Sequence, residues 1–147
     1  KRVFMYHGAE HKTINCLEAG VPLTPENVDN FSRLHKRCGT SFIFIVMIIS
    51  MVFFFFIRVD TIWLRIVLRL LFLPFVAGVS YEFIRLAGSS DHPLVQIFSK
   101  PGLALQKLTT KEPDHSMIEV AIASVEGVFD WREYLDSLNK GEQKEDE

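Results

Sequence analysis

The residues with the clearest capacity for chemistry lie near the start of the chain, in His7-Gly8-Ala9-Glu10-His11. Their order, H-x-x-E-H, is the inverted zinc-protease spacing. On a helix, positions four apart share a face and sit about 6 Å apart along the axis. Two imidazoles so placed can reach one Zn²⁺ with bonds of about 2.0–2.1 Å. Glu10 lies beside that face and could take a proton from a metal-bound water, whose pKa the metal lowers to about 7. The same five residues also read as a polar helix face at a membrane surface, with Glu10 paired to Lys12 or Lys1.

A catalytic zinc site needs a third protein ligand and an open position. Glu82 is the leading candidate, as an ionisable residue inside an apolar helix, where such groups are functional by default. Gly78 and Ser80 before it are small and allow close helix approach. Its other reading is an ordinary ion pair with Arg85, three residues on. A second cluster, His35-Lys36-Arg37-Cys38-Gly39-Thr40-Ser41, offers His35 and Cys38 as ligands, with Arg37 able to lower the thiol pKa. Lys36 and Arg37 also suit a positive flank to a membrane helix. Glu18, further along the first helix, is a possible oxygen ligand. His92 and His115 read as solvated loop and cap residues, and Asp114 as a helix-start acid.

These residues need helices to position them. Residues 1–20 form one, ended by Gly20 at the C′ position. Thr24 as N-cap and Pro25 at the first position start another, running to about Leu34. Arg33, His35, Lys36 and Arg37 then crowd its end, where cations suit the helix dipole. The twenty residues from Cys38 to Ile57 carry no charge, and about 20 apolar residues cross a bilayer. After the short polar link Arg58–Thr61, a second apolar helix runs from about Ile62 to Ala87, with Pro74 inside it and Trp63 suited to an interfacial belt. Arg65 and Arg69 snorkel. The short link makes the two helices an antiparallel hairpin. A rise of about 1.5 Å per residue brings Glu82 back across about 30 Å, to the side of His7 and His11. The excess of Arg33, Lys36, Arg37, Arg85 and Lys100 over Arg58, Arg65 and Arg69 sets the termini in the cytoplasm.

Beyond the hairpin, Ser89-Ser90-Asp91-His92-Pro93 is a turn or cap cluster. Leu94 to Ser99 and Leu103 to Leu108 are short amphipathic helices broken at Lys100-Pro101-Gly102. Glu112-Pro113-Asp114 opens a helix through Ala123, and Asp130 to Leu138 makes a last one. No strand pattern or repeat occurs. The fold class is therefore all-α, a membrane protein with a two-helix transmembrane hairpin (about 38–57 and 62–87) flanked by cytoplasmic or interfacial helices. Residues 1–138 form a single helical membrane domain, and 139–147 a disordered acidic tail.

The averages agree only with a segregated chain. Of 147 residues, 48% are hydrophobic and 23% charged, with a net charge of −2. That balance excludes a nucleic-acid binder working by overall basicity. Two cysteines, Cys16 and Cys38, are too few for a disulfide scaffold and read as reduced thiols facing a cytosol. The chain starts with Lys rather than Met, which reads as a fragment or processed form.

Several blocks together resemble a known family. Phe4-Met5-Tyr6-His7-Gly8-Ala9-Glu10-His11-Lys12-Thr13 is the most specific. Arg37-Cys38-Gly39-Thr40-Ser41-Phe42, Ser80-Tyr81-Glu82, Glu112-Pro113-Asp114 and Glu119-Val120-Ala121 accompany it. They resemble the YqhQ-like bacterial membrane-protein family, a domain of unknown function often labelled a metal-dependent enzyme, over nearly all of the chain except the acidic tail. The resemblance implies a multi-pass membrane protein and a further N-terminal region, with a Gly-rich stretch, that could complete the site. His115 stands where an acidic residue is more usual, and no role is carried onto it.

The expectation is a metal-dependent hydrolase at the cytoplasmic face of the cell membrane. His7, His11 and Glu82 hold Zn²⁺ or another divalent metal, and Glu10 is general base toward a peptide or lipid-like substrate. The partner is the lipid bilayer, with a homo-oligomer possible. The competing expectation is a non-catalytic oligomeric membrane scaffold or channel.

Overall fold

The computed structural model describes residues 1–57, 59–90 and 92–145. Among them the chain is all-α, with seven helices and no strand: α1 Arg2–Glu18, α2 Pro25–Asp29, α3 Gly39–Phe56, α4 Ile62–Ser89, α5 Pro93–Thr109, α6 His115–Glu126 and α7 Trp131–Glu145. The chain divides into two compact units. One is Lys1–His35 with Lys107–Glu147, and the other is Lys36–Gln106.

In the first unit α1 ends as expected. Gly20 adopts φ +71°, the left-handed conformation that glycine takes without a Cβ penalty. The Thr24 side chain caps α2 by accepting from the Asn27 amide, with Pro25 behind it. Asp114 caps α6 through the Met117 amide. That bond and the Ser116 hydroxyl hold the Asp114 carboxyl below its ordinary range, Ser116 being the stronger influence. Helices α1, α2 and α6 pack on one another. Their apolar faces, with the start of α7, meet in a core of Ala9, Cys16, Val28, Met117, Ile118 and Trp131 among others.

The helix expected to continue to about Leu34 instead ends at Asp29. The reason lies on α1, whose polar side chains take the carbonyls of the following segment. The Lys12 ammonium binds the Asp29 carbonyl, His11 the Arg33 carbonyl, and the Asn15 amide both the Ser32 and Leu34 carbonyls. Those oxygens find donors outside a helix, so the chain can leave the helical path with its polar groups satisfied. Arg33 therefore does not serve a helix C-terminus.

A second irregular segment, 110–114, crosses α1 at Gly8. The Lys111 amide donates to the Phe4 carbonyl at 2.8 Å. A Cβ on Gly8 would lie 2.1 Å from the Lys111 carbonyl oxygen, so only glycine permits this approach.

The second unit contains α3, α4 and most of α5. Helices α3 and α4 pack together, with Phe53 against Phe72 and Phe75 at ring distances of 5.1 and 5.9 Å. Both helices are long and apolar enough to cross a membrane, and almost none of their most apolar stretch is buried within the chain. Trp63 is exposed. Arg65 donates to the Val59 carbonyl, and Arg69 lies over the Phe54 ring.

α5 corrects another expectation. It is continuous, with Pro101 inside it, rather than two pieces broken at Lys100-Pro101-Gly102. Proline removes one helix hydrogen bond, but packing outweighs the loss. Gly102 is buried against Ser41, and the fully buried Gln106 amide donates to the Ser41 hydroxyl at 2.6 Å. The α7 backbone is helical to Glu145. Residues 146–147, the flanking Arg58 and the turn residue Asp91 lie outside the described residues.

Gly8→Ala is expected to lower stability by about 1–3 kcal/mol, because the clash is with backbone and the crossing segment must shift. Thermal unfolding of the detergent-solubilised protein followed by circular dichroism measures it; an unchanged midpoint would contradict the close approach.

Candidate metal centre

The helical spacing of the H-x-x-E-H residues brings the two imidazoles together on α1. The His7 and His11 rings meet edge to face, with centroids 4.4 Å apart. A ligating nitrogen of each lies within 4.8 Å of the other's. His11 is buried and His7 half-buried.

Both rings are oriented from behind by carbonyl oxygens. His7 Nδ1 lies 2.9 Å from the Thr109 carbonyl, and His11 Nδ1 lies 2.7 Å from the Arg33 carbonyl. A carbonyl only accepts, so in each neutral ring Nδ1 carries the proton and Nε2 the lone pair. This is the arrangement that fixes tautomer and ring orientation in histidine metal ligands. One carbonyl belongs to the irregular segment after α2, and the other to the last residue of α5.

His35 joins this group from the chain following α2. Its ring centroid is 5.9 Å from that of His11, and its Nε2 is 3.2 Å from a carboxylate oxygen of Glu18. The structure thus brings together three of the candidate imidazoles and places Glu18 as a partner of His35. Burial pushes the Cys16 thiol up to about 11, which keeps it protonated at neutral pH.

Glu10 is exposed, and its side chain has no hydrogen bond or ion pair among the described residues. Its expected partnership with Lys12 is replaced by a different one. Lys12 is 6% exposed and reaches Asp29 at 3.1 Å and Glu112 at 3.0 Å. Glu112 also receives Arg33 Nε at 3.0 Å, and the Arg33 guanidinium grips the Thr110 carbonyl and hydroxyl. This network ties both carbonyl-bearing segments to α1 and to each other. No spacing in the sequence announces it, because the groups that hold the rings are backbone oxygens, which every residue has.

Glu82 belongs to α4 in the second unit. Its carboxylate is exposed and pairs with Arg85 at 3.4 Å. In the same unit, Cys38 Sγ lies 2.9 Å from the Thr40 hydroxyl. His92 and His115 are exposed.

A groove of about 640 Å³ runs between α1 and α6 within the first unit. His7 and Glu10 line it together with Val3, Tyr6, Ile14, Val120, Val125 and Phe129 among others. His7 is therefore shared between the imidazole pair and the groove. Periodicity did not reveal the groove, because its walls are exposed apolar residues on helices far apart in sequence.

Burial works to lower the Lys12 pKa, but hydrogen bonds to Glu112 and Asp29 overcome it and leave the pKa above 10.5. The resulting stability is full below pH 10.5 and is lost as pH rises through the higher folded-state value. Lys12→Met is expected to cost about 1–2 kcal/mol at neutral pH, since its partners remain solvated when it is removed. It should also abolish the loss above pH 10.5; chemical denaturation across that range tests both.

Among known proteins, residues 1–131 match the family described as "Protein of unknown function (DUF1385)". The chain is 46% identical over 145 residues to "Uncharacterized protein YqhQ" of Bacillus subtilis (strain 168), an alignment covering 98% of this chain. It spans 44% of that relative's length. No solved structure matches. A family match over most of the chain and a relative this similar lead to one conclusion: the chain belongs to the DUF1385 family, whose function is unknown.

Proposed function

We propose that this chain is the membrane-anchored part of a metal-dependent hydrolase, with His7 and His11 holding a divalent metal, most suitably zinc. The observation that carries the reading is the pair of Nδ1–carbonyl contacts, at 2.9 and 2.7 Å, which orient both rings and put the proton of each neutral ring on Nδ1. Imidazole nitrogen suits zinc among the common divalent ions. When bound, the metal would supply Lewis acidity toward a carbonyl group.

The chain's own residues do the rest. Glu10, exposed beside the pair, accepts the proton of an attacking water. The water oxygen bonds to the carbonyl carbon of an ester or amide, the bond to the leaving oxygen or nitrogen breaks, and Glu10 returns the proton to that leaving atom. The substrate is a peptide or a lipid-like compound. The helices α3 and α4 anchor the protein as a hairpin in the cell membrane, with both termini cytoplasmic. Their length, apolarity and lack of burial within the chain support the anchor.

Metal analysis of the full chain, purified in detergent and dialysed against trace zinc, tests the centre. About one equivalent is expected, falling to background in His7→Ala/His11→Ala with the helical content unchanged. The variants His35→Ala and Glu82→Gln in the same assay assign the third ligand. Wild-type protein without stoichiometric metal, or a double variant that keeps it, overturns the reading.

A further inference from the structure

The linked ends of α3 and α4 gather charge that their own fold leaves uncompensated. Arg65 and Arg69 sit about one turn apart on α4 and line one pocket of about 360 Å³ with Phe54, Leu68 and Asp60. Arg65 donates one of its several N–H groups to the Val59 carbonyl at 2.8 Å. The Arg69 guanidinium lies 5.6 Å from the centre of the Phe54 ring. Among the described residues neither guanidinium is in an ion pair. Like charges at this spacing repel, and two guanidiniums against the Asp60 carboxylate leave the pocket with an excess of positive charge. Arg69 lies about 10 Å along the axis from Ile62, inside a helix apolar enough to cross a membrane. A cation there is costly without a counter-charge.

A second pocket, of about 610 Å³, shares Arg69 and Phe54 with the first. Its other walls are Met51, Phe55, Leu70 and Leu73, with Ser50 as the further polar residue. From the link inward the order is therefore Asp60, the two guanidiniums, then an apolar trough. A phospholipid in a bilayer presents head, phosphodiester and acyl chain in that same order of depth. Its phosphodiester offers two charged oxygens, which suit two guanidinium forks. A soluble anion would leave the trough unused, and a neighbouring helix would fill the trough without supplying that pair of oxygens.

We infer that this double pocket holds one anionic phospholipid of the surrounding bilayer. Its phosphodiester lies at Arg65 and Arg69, and an acyl chain runs along Met51, Phe55, Leu70 and Leu73. A head with no ammonium group is favoured, because an anionic lipid offsets the excess positive charge and a zwitterionic one does not. The bilayer as source of the lipid rests on the hairpin anchor proposed above.

Native mass spectrometry of the full chain, released from detergent with lipids at equal concentration, tests the occupant. The probes are dioleoyl phosphatidylglycerol, dioleoyl phosphatidylcholine and glycerol phosphate. One phosphatidylglycerol per chain is expected, held about tenfold better than phosphatidylcholine. Arg65→Gln/Arg69→Gln should erase that preference with helical content unchanged. Arg85→Gln, which removes an α4 cation outside both pockets, should leave it intact. Asp60→Asn should raise phosphatidylglycerol binding, since a repelling carboxylate is gone. Excess glycerol phosphate should not displace the lipid.

Equal retention of the two lipids, or a double variant that keeps the preference, overturns the inference. Displacement by glycerol phosphate overturns it in favour of a soluble-phosphate site. A dimer that forms in place of the lipid adduct overturns it in favour of a second copy of the chain. Alkaline washing of vesicles made from the same two lipids reads the anchor separately. A chain that washes off yet keeps the selective adduct overturns the bilayer source and the anchor together, whereas an inserted chain with no preference overturns the lipid pocket alone.

Discussion

A carbonyl oxygen that leaves a helix without reaching water must find a donor, and in the first unit the donors come from α1. Lys12, His11 and Asn15 take the carbonyls of residues 29–34, and His7 takes that of Thr109. The same contacts that let the chain run irregularly also orient two imidazoles. Fold and candidate chemistry therefore rest on one set of hydrogen bonds. A polar helix face that would be costly to bury in an apolar core is satisfied here by backbone carbonyls, with the Asp29 and Glu112 carboxylates completing the partners of Lys12.

This accounts for what was legible in the sequence. The adjacency of His7 and His11 follows from helical periodicity, which needs no knowledge of the rest of the fold. The ends of α1 and the starts of α2 and α6 were readable for the same reason, since Gly20, Thr24 and Asp114 act within their own turn. The two long apolar helices are marked by composition alone.

What was not legible depends on residues distant in sequence. The early end of α2 is decided by side chains on α1, and the continuity of α5 through Pro101 by Ser41, 60 positions away. Local signals pointed the other way in both cases, and tertiary packing prevailed. The partners of Lys12 were hidden similarly. Asp29 and Glu112 lie 17 and 100 positions beyond it, whereas the partner expected from the sequence was the nearby Glu10. His35 was recognisable as a metal-competent residue, but only the turn after α2 brings its ring to His11.

Arg33 carries a dual duty with a dynamic consequence. Its carbonyl steadies the His11 ring while its guanidinium clasps Thr110 and Glu112. The stretches 29–35 and 109–112 therefore cannot loosen independently, for releasing one strips a partner from the other. Amide hydrogens in both, Lys111 included through its bond to Phe4, should exchange with solvent as one cooperative opening unit rather than as two separately fraying loops.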